Sequence, residues 1–197
     1  MRHAWLLLAA LLGGCVAKPR CGTGPLRLEL RDGNGALQLR VAGATRTGEL
    51  DLCDAAGQRV GALGRQGDAL VLYDRSNAEL LRAATPATLE LDGPGGPRMR
   101  IYREGGALRV LNAEGVPYGQ ILERDGAAWA SDPGGSPIGK ASRRDADAVV
   151  AAPDGAVRAF VVPSPGLVAA GVLVLDGLPL AERVFVAAHL GRGPLQP

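Results

Sequence analysis

Gly166–Leu175 reads GLVAAGVLVL, ten consecutive residues with no polar side chain. A helix that is apolar all round is a buried one. At about 1.5 Å per residue this stretch would be roughly 15 Å long, enough to fill a small barrel and about half a membrane span. Pro163-Ser164-Pro165 breaks the chain before it, and Gly177 stops it. The residues ahead of it decide what it is buried in.

Seven turn signals punctuate those residues: Asp32-Gly-Asn-Gly35, Asp54-Ala-Ala-Gly57, Asp74-Arg-Ser-Asn77, Asp92-Gly-Pro-Gly95, Asn112-Ala-Glu-Gly115, Asp132-Pro-Gly-Gly135 and Ala152-Pro-Asp-Gly155. Between their Asp or Asn residues (Asp154 in the last) the spacings are 22, 20, 18, 20, 20 and 22. Asp or Asn at the first position of a type I turn caps backbone N–H groups, and Pro133 and Pro153 suit the fixed φ of the second. Gly at the fourth position takes the left-handed conformation that completes a short hairpin with a bulge. Asn77, in the same place, is the other residue that tolerates positive φ.

The flanks alternate with period two, as in Leu26-Arg-Leu-Glu-Leu30, Leu37-Gln-Leu-Arg-Val41 and Leu108-Arg-Val110. Such strands have one buried and one wet face, as in an antiparallel sheet. Second breaker clusters, such as Arg65-Gln-Gly-Asp68, Arg103-Glu-Gly-Gly106 and Arg124-Asp-Gly126, separate the hairpins. Asn77–Ala87, which contains AELLRAA, is read as strand. The expected fold is mainly β: an antiparallel hairpin-repeat meander closing into a roughly 12-stranded barrel around the apolar helix. Pro179–Leu190, begun by a proline and stopped by Gly191, adds a short amphipathic helix. Its Leu180, Val184, Ala187 and Ala188 share one face, and the expectation is that it packs across one end of the barrel.

Strands joined by Asp-x-x-Gly-x-x-x-Gly turns occur as Asp54-Ala-Ala-Gly57-Gln-Arg-Val-Gly61, with near-matches at Asn112–Gly119 and Gly135–Gly139. With the terminal apolar helix, this resembles the tubby-like superfamily, which includes the LURP-one and scramblase-type domains. The resemblance covers about Leu26–Leu190 and implies a closed twelve-stranded barrel threaded by a C-terminal helix. The twenty-residue YD-type repeats of bacterial shell proteins are a competing resemblance, but only Tyr73-Asp74 carries their Tyr-Asp pair here.

The chain opens Met1-Arg2-His3 and runs apolar to Leu12, the pattern of a secretory signal. Leu12-Gly13-Gly14-Cys15 resembles the lipobox of bacterial lipoproteins. That resemblance implies diacylglycerol on the Cys15 sulfur, cleavage before Cys15 and acylation of the new amino group. Val16 is not the aspartate that retains such proteins in the inner membrane, so it also implies the outer membrane, facing the periplasm. The expected boundaries are 1–14 signal peptide, 15–25 lipidated tether, 26–190 one barrel domain with its helices, and 191–197 a flexible tail. With Cys15 given to lipid, Cys21 and Cys53 remain as a pair in an oxidising compartment. The expectation is an intramolecular disulfide, the alternatives being two free thiols or a bridge between molecules.

Net charge is +2, with Lys and Arg dispersed among Asp and Glu, which argues against a nucleic-acid binder. The chemistry-bearing residues are sparse. His189 is the only histidine beyond the leader and sits where a cation caps a helix C-terminus. No nucleophile-elbow sequence accompanies it. Asp32-Gly-Asn-Gly35 begins like a calcium loop, but the twelfth position is Gly43 rather than Glu. No catalytic residue, metal site or cofactor is assigned; nothing singles out an acid pair among Glu104, Glu114, Asp125, Asp145 and Asp147. Trp129, Tyr102 and Tyr118 are read as packing residues. Arg98, Arg100, Arg103, Arg143 and Arg144 are the candidate contacts for an anionic ligand such as a phospholipid head group.

The functional expectation is a lipid-anchored cell-envelope protein, a non-enzymatic binding or scaffold module that meets a membrane through its anchor and an envelope protein or phospholipid through its barrel. The alternatives are a glycan- or lipid-modifying enzyme and a lipid-handling barrel.

Overall fold

The computed structural model describes residues 21, 24–43, 49–83, 89–175 and 178–190. The leader, Cys15, the tether as far as Arg20, the stops at Gly177 and Gly191 and the tail 191–197 lie outside the described residues.

Each turn signal joins two strands. These are β1 (Leu26–Asp32) and β2 (Leu37–Gly43), β3 (Leu50–Asp54) and β4 (Arg59–Gln66), β5 (Ala69–Asp74) and β6 (Glu79–Ala83), and β7 (Leu89–Gly93) and β8 (Gly96–Glu104). Then come β9 (Ala107–Asn112) and β10 (Pro117–Arg124), β11 (Ala127–Ser131) and β12 (Pro137–Arg144), and β13 (Asp147–Ala151) and β14 (Val157–Val162). Neighbours pair antiparallel throughout, and β1 closes on β14, with Leu30 opposite Val161. The mainly β barrel is therefore as the sequence indicates, with fourteen strands rather than roughly twelve. The count is higher because all seven repeats contribute two strands, including β6 from the AELLRAA region.

The turns work as their chemistry requires. The Asp32 carboxylate accepts from the N–H groups of Asn34 and Ala36, both at 2.9 Å. Asp54, Asp74, Asn112 and Asp132 each accept from the N–H four residues on. Asn77 takes the glycine role at φ 66°. The fourth hairpin departs from this pattern. Pairing runs on to Gly93 opposite Gly96, so the turn shortens to Pro94-Gly95 in place of the Asp92-headed turn.

Every one of these hairpins has one extra residue on its second strand. Register shifts leave Gln38, Val60, Leu80, Arg98, Tyr118, Ile138 and Arg158 without a cross-strand partner. A bulge increases the local twist and bends its strand. Repeated once per hairpin, it curves the sheet at one rim, called here the hairpin mouth. The other rim, formed by the connections between hairpins, is called the far mouth.

Two helices follow, α1 (Leu167–Val172) and α2 (Leu180–Leu190). The apolar stretch is only partly α-helical: Leu173, Val174 and Leu175 donate to the carbonyls three residues back, a 3₁₀ continuation. Helix α1 packs on β10–β13 and on α2. Its start lines the far mouth, and its continuation reaches Gly119 and Gly139 beside the hairpin mouth. The chain then turns, and α2 runs back to place Leu190 at the far mouth. The plug is a helical hairpin.

This corrects the expectation that the second helix lies across one end. Val184–Ala188 are all buried, five consecutive residues that span more than a turn, so protein surrounds the helix on every side. An eight-stranded barrel is filled by its own side chains, whereas fourteen strands enclose a wider space. One helix and a half-turn leave that space underfilled, so α2 goes inside as well. Its polar residues are accommodated individually. Arg183 donates to the Leu173 carbonyl at 2.7 Å, satisfying a helix-end acceptor. Glu182 meets Arg98 at 3.4 Å.

The inner wall is graded to match. Opposite α1 it is small: Gly119, Ala128, Ala130, Gly139, Ala141 and Ala148 are buried there. Round the rest it is large, with Leu28, Leu52, Leu63, Leu72, Leu81, Leu91 and Ile101 buried. The plug sits off-centre against the alanine–glycine wall, and leucines fill the wider gap. A Cβ on Gly139 would lie 2.6 Å from Val174 Cγ1, and one on Gly171 would lie 3.1 Å from Ile121 Cγ2.

Candidate functional site

The outer wall is charged, which limits where a ligand can sit. Outward positions carry the ion pairs Arg59–Asp51 (2.9 Å), Arg100–Glu90 (3.1 Å) and Arg109–Glu104 (2.6 Å). Burial pushes the Glu29 carboxyl up, but hydrogen bonds and charge from Arg40 and Arg31 outweigh it and hold the group below the usual carboxylate range. Trp129 stands on this wall with Lys140 and Arg124 at 5.0 and 5.2 Å from its ring, a packing role as expected. A barrel crossing a membrane has an apolar exterior band; this one has its apolar face inside. Among the described helices none is long and apolar enough to cross a membrane.

The disulfide lies on the same wall. Cys21 and Cys53 are joined, with Cα atoms 5.7 Å apart, and Cys53 is buried beneath the incoming chain. The Cys21 N–H donates to the carbonyl of Gly57 in the β3–β4 turn, and Pro25 accepts from the N–H of Gly43. Cys21 is thus held at the hairpin mouth and Pro25 towards the far mouth. Closing this loop of about 33 residues contributes roughly 3–4 kcal/mol on the chain-entropy estimate.

The five candidate arginines separate. Arg98 binds buried Glu182, whose carboxyl is pushed up by burial despite that partner. Arg100 is paired on the outer wall, and Arg144 stacks over Phe160 at 5.9 Å. Only Arg103 and Arg143 come together. They line a cleft of about 540 Å³ in the far mouth, with Glu123, Asp145 and Ser164. Its floor is the start of the plug, Leu167–Ala169, together with Leu190.

The repeat explains this grouping. Positions 103, 123 and 143 are the same place in three successive units, at the inward-facing ends of β8, β10 and β12. They alternate in sign. Being two strands apart, adjacent members have backbones separated by about 9.5 Å. Among the described residues, none of Arg103, Glu123, Arg143 and Asp145 has an ion pair or side-chain hydrogen bond. Asp145 is among the carboxylates the sequence offers for an acid pair, whereas Glu123 is not; its twenty-residue alignment with Arg103 and Arg143 is the signal that finds it. The Ser164 N–H donates to the Ala146 carbonyl at 3.0 Å, fixing the plug's lead-in to the β12–β13 turn beside the cleft.

His189, near the same mouth, is not the cationic cap its position suggests. Burial, with Arg65 nearby, pushes its pKa down, so the neutral form is favoured. Among the described residues no group of three or more His, Cys, Asp or Glu is placed to hold a metal ion.

The fold and site define a filled β-barrel with a charged outer wall and a charged cleft in its far mouth. No protein-family model matches the chain, and no curated protein matches it.

Proposed function

We propose that this protein is a lipid-anchored component of the bacterial cell envelope, facing the periplasm from the outer membrane, and that it is a binding module whose ligand or partner sits in the far-mouth cleft. The observation that carries the reading is the cleft itself: four charged side chains of both signs, without partners among the described residues, over an apolar floor. Pockets of this size with a few convergent polar groups are where ligands bind. The lipid-handling alternative loses its lumen, because the helical hairpin occupies the space an acyl chain would need. A hydrolase reading would draw on Glu123 and Asp145, the two carboxylates this cleft holds.

The test is photo-crosslinking in cells that make the full chain. A benzophenone amino acid replacing Arg143 is expected to give a discrete adduct that disappears when Arg103→Glu is added. The same probe replacing Lys140 on the outer wall is expected to give none. Equal labelling at both positions, or none at Arg143, would overturn the cleft as the binding site. Radioactive palmitate incorporated by the natural chain and lost in Cys15→Ala tests the anchor separately.

A further inference from the structure

Among the described residues, four of the five exposed large hydrophobic side chains lie at the hairpin mouth: Val60 (40 %), Val116 (57 %), Tyr118 (38 %) and Val157 (41 %). The fifth, Leu26, is at the opposite end. Single exposed apolar residues are ordinary, but these are not scattered. Val60 and Tyr118 are bulge residues on β4 and β10, Val116 is in the turn before β10, and Val157 opens β14. They are therefore distributed round the rim on β4, β10 and β14, just behind the turn tips, within the depth of a head-group layer.

The same rim is where the chain arrives from its N-terminal side. Cys21 is bonded to Cys53 and donates to Gly57 at the hairpin mouth. Cys15 precedes it by six residues, which span at most about 20 Å when fully extended. We infer that the hairpin mouth docks flat on the surface of the bilayer in which Cys15 is anchored, seating Val60, Val116, Tyr118 and Val157 among the lipid head groups and directing the far-mouth cleft into the compartment. This inference rests on the lipid-anchor reading. The tether supplies a high effective concentration, so a contact too weak to hold a free protein suffices.

Charge selects the lipid. The turn caps Asp32, Asp54, Asp74 and Asp132, with Glu114 and Asp154, ring this rim, and the arginines among them are Arg59, Arg75, Arg98 and Arg158. Arg31, which donates to the Gly35 carbonyl, and Arg183, beside Arg158, bring the bases to six against six acids. The contact is therefore made with zwitterionic head groups and needs no anionic lipid.

The full chain, isolated from membranes, is reconstituted into phosphatidylethanolamine–phosphatidylcholine vesicles containing acyl-brominated phosphatidylcholine. Tyr118→Trp supplies a reporter at the hairpin mouth and Arg144→Trp one at the other end, each read against the Trp129 background. Burial at the head-group boundary predicts about a twofold quench of the Tyr118→Trp signal, with Arg144→Trp unchanged. Adding Val116→Asp and Val157→Asp abolishes the quench, and phosphatidylglycerol in place of part of the phosphatidylcholine leaves it unchanged. Mass spectrometry of the same sample separates the two readings. The diacylglyceryl mass on Cys15 without quenching of Tyr118→Trp overturns the docking and leaves the anchor standing; its absence overturns both. A change of the quench in either direction with phosphatidylglycerol would overturn the charge argument.

Discussion

Phe185→Ala tests whether α2 is the centre of the protein or a lid on it. Phe185 is fully buried, at 0 % exposure, in the middle of the helix. Truncating a buried phenylalanine costs about 3–5 kcal/mol, because the lost transfer energy is joined by the cavity left behind. Domains of this size have only about 5–15 kcal/mol in total. With roughly 2–4 °C per kcal/mol at this chain length, the melting temperature should fall by about 6–20 °C. A helix lying across the barrel's end would keep one face wet, and the same truncation there would cost well under the lower figure. The assay is equilibrium urea unfolding followed by circular dichroism, with Leu190→Ala, only partly buried at the far mouth, as the internal comparison. The cavity would be apolar and dry, so benzene-saturated buffer should recover part of the loss, as small apolar ligands do in engineered cavities. A loss below about 1 kcal/mol with an unchanged denaturant slope would refute the placement of α2 inside the barrel.

Two further outcomes follow from the plug's fit and from its one histidine. Gly139→Ala puts a methyl against Val174 and the Ala151 carbonyl, which lies 2.7 Å from the ideal Cβ; overpacking of this kind costs about 1–3 kcal/mol. Val174→Ala should recover only part of it, because the carbonyl contact remains, and full recovery by thermal melting would show that the backbone contact does not matter. His189 is favoured neutral in the fold, its pKa depressed below the unfolded value of about 6.5. Its contribution is therefore complete above that value and is lost as pH falls through it towards the folded pKa. His189→Gln should lose less stability than the natural protein as pH drops from neutral into the range below the unfolded pKa. Identical pH profiles would remove His189 from the account.

The barrel was legible because one local rule recurs. An Asp or Asn that caps a turn, followed by a residue tolerant of positive φ, specifies a hairpin whatever surrounds it, and seven in succession make a closed meander. Strand number was less legible because closure depends on every repeat contributing both strands, and AELLRAA has helical propensity that sheet pairing overrides. The location of α2 was obscured by Glu182, Arg183 and His189, which make it look like a surface helix. Val184-Phe185-Val186-Ala187-Ala188, apolar through more than a turn, was the stronger sign, and the inward row that drifts from Leu to Ala and Gly along the repeats marked the wall that α1 packs on. Among the arginines, strand parity separates the groups: residues 100 and 144 point outward, 103 and 143 inward, and Arg98 escapes the rule because it sits on a bulge. One repeat thus produces two unlike rims. At the hairpin mouth its bulge position is occupied mainly by apolar and arginine side chains, and at the far mouth its inward position alternates in charge. A symmetrical scaffold acquires direction in this way, because the residues that do not determine hairpin formation are free to differ between its two ends.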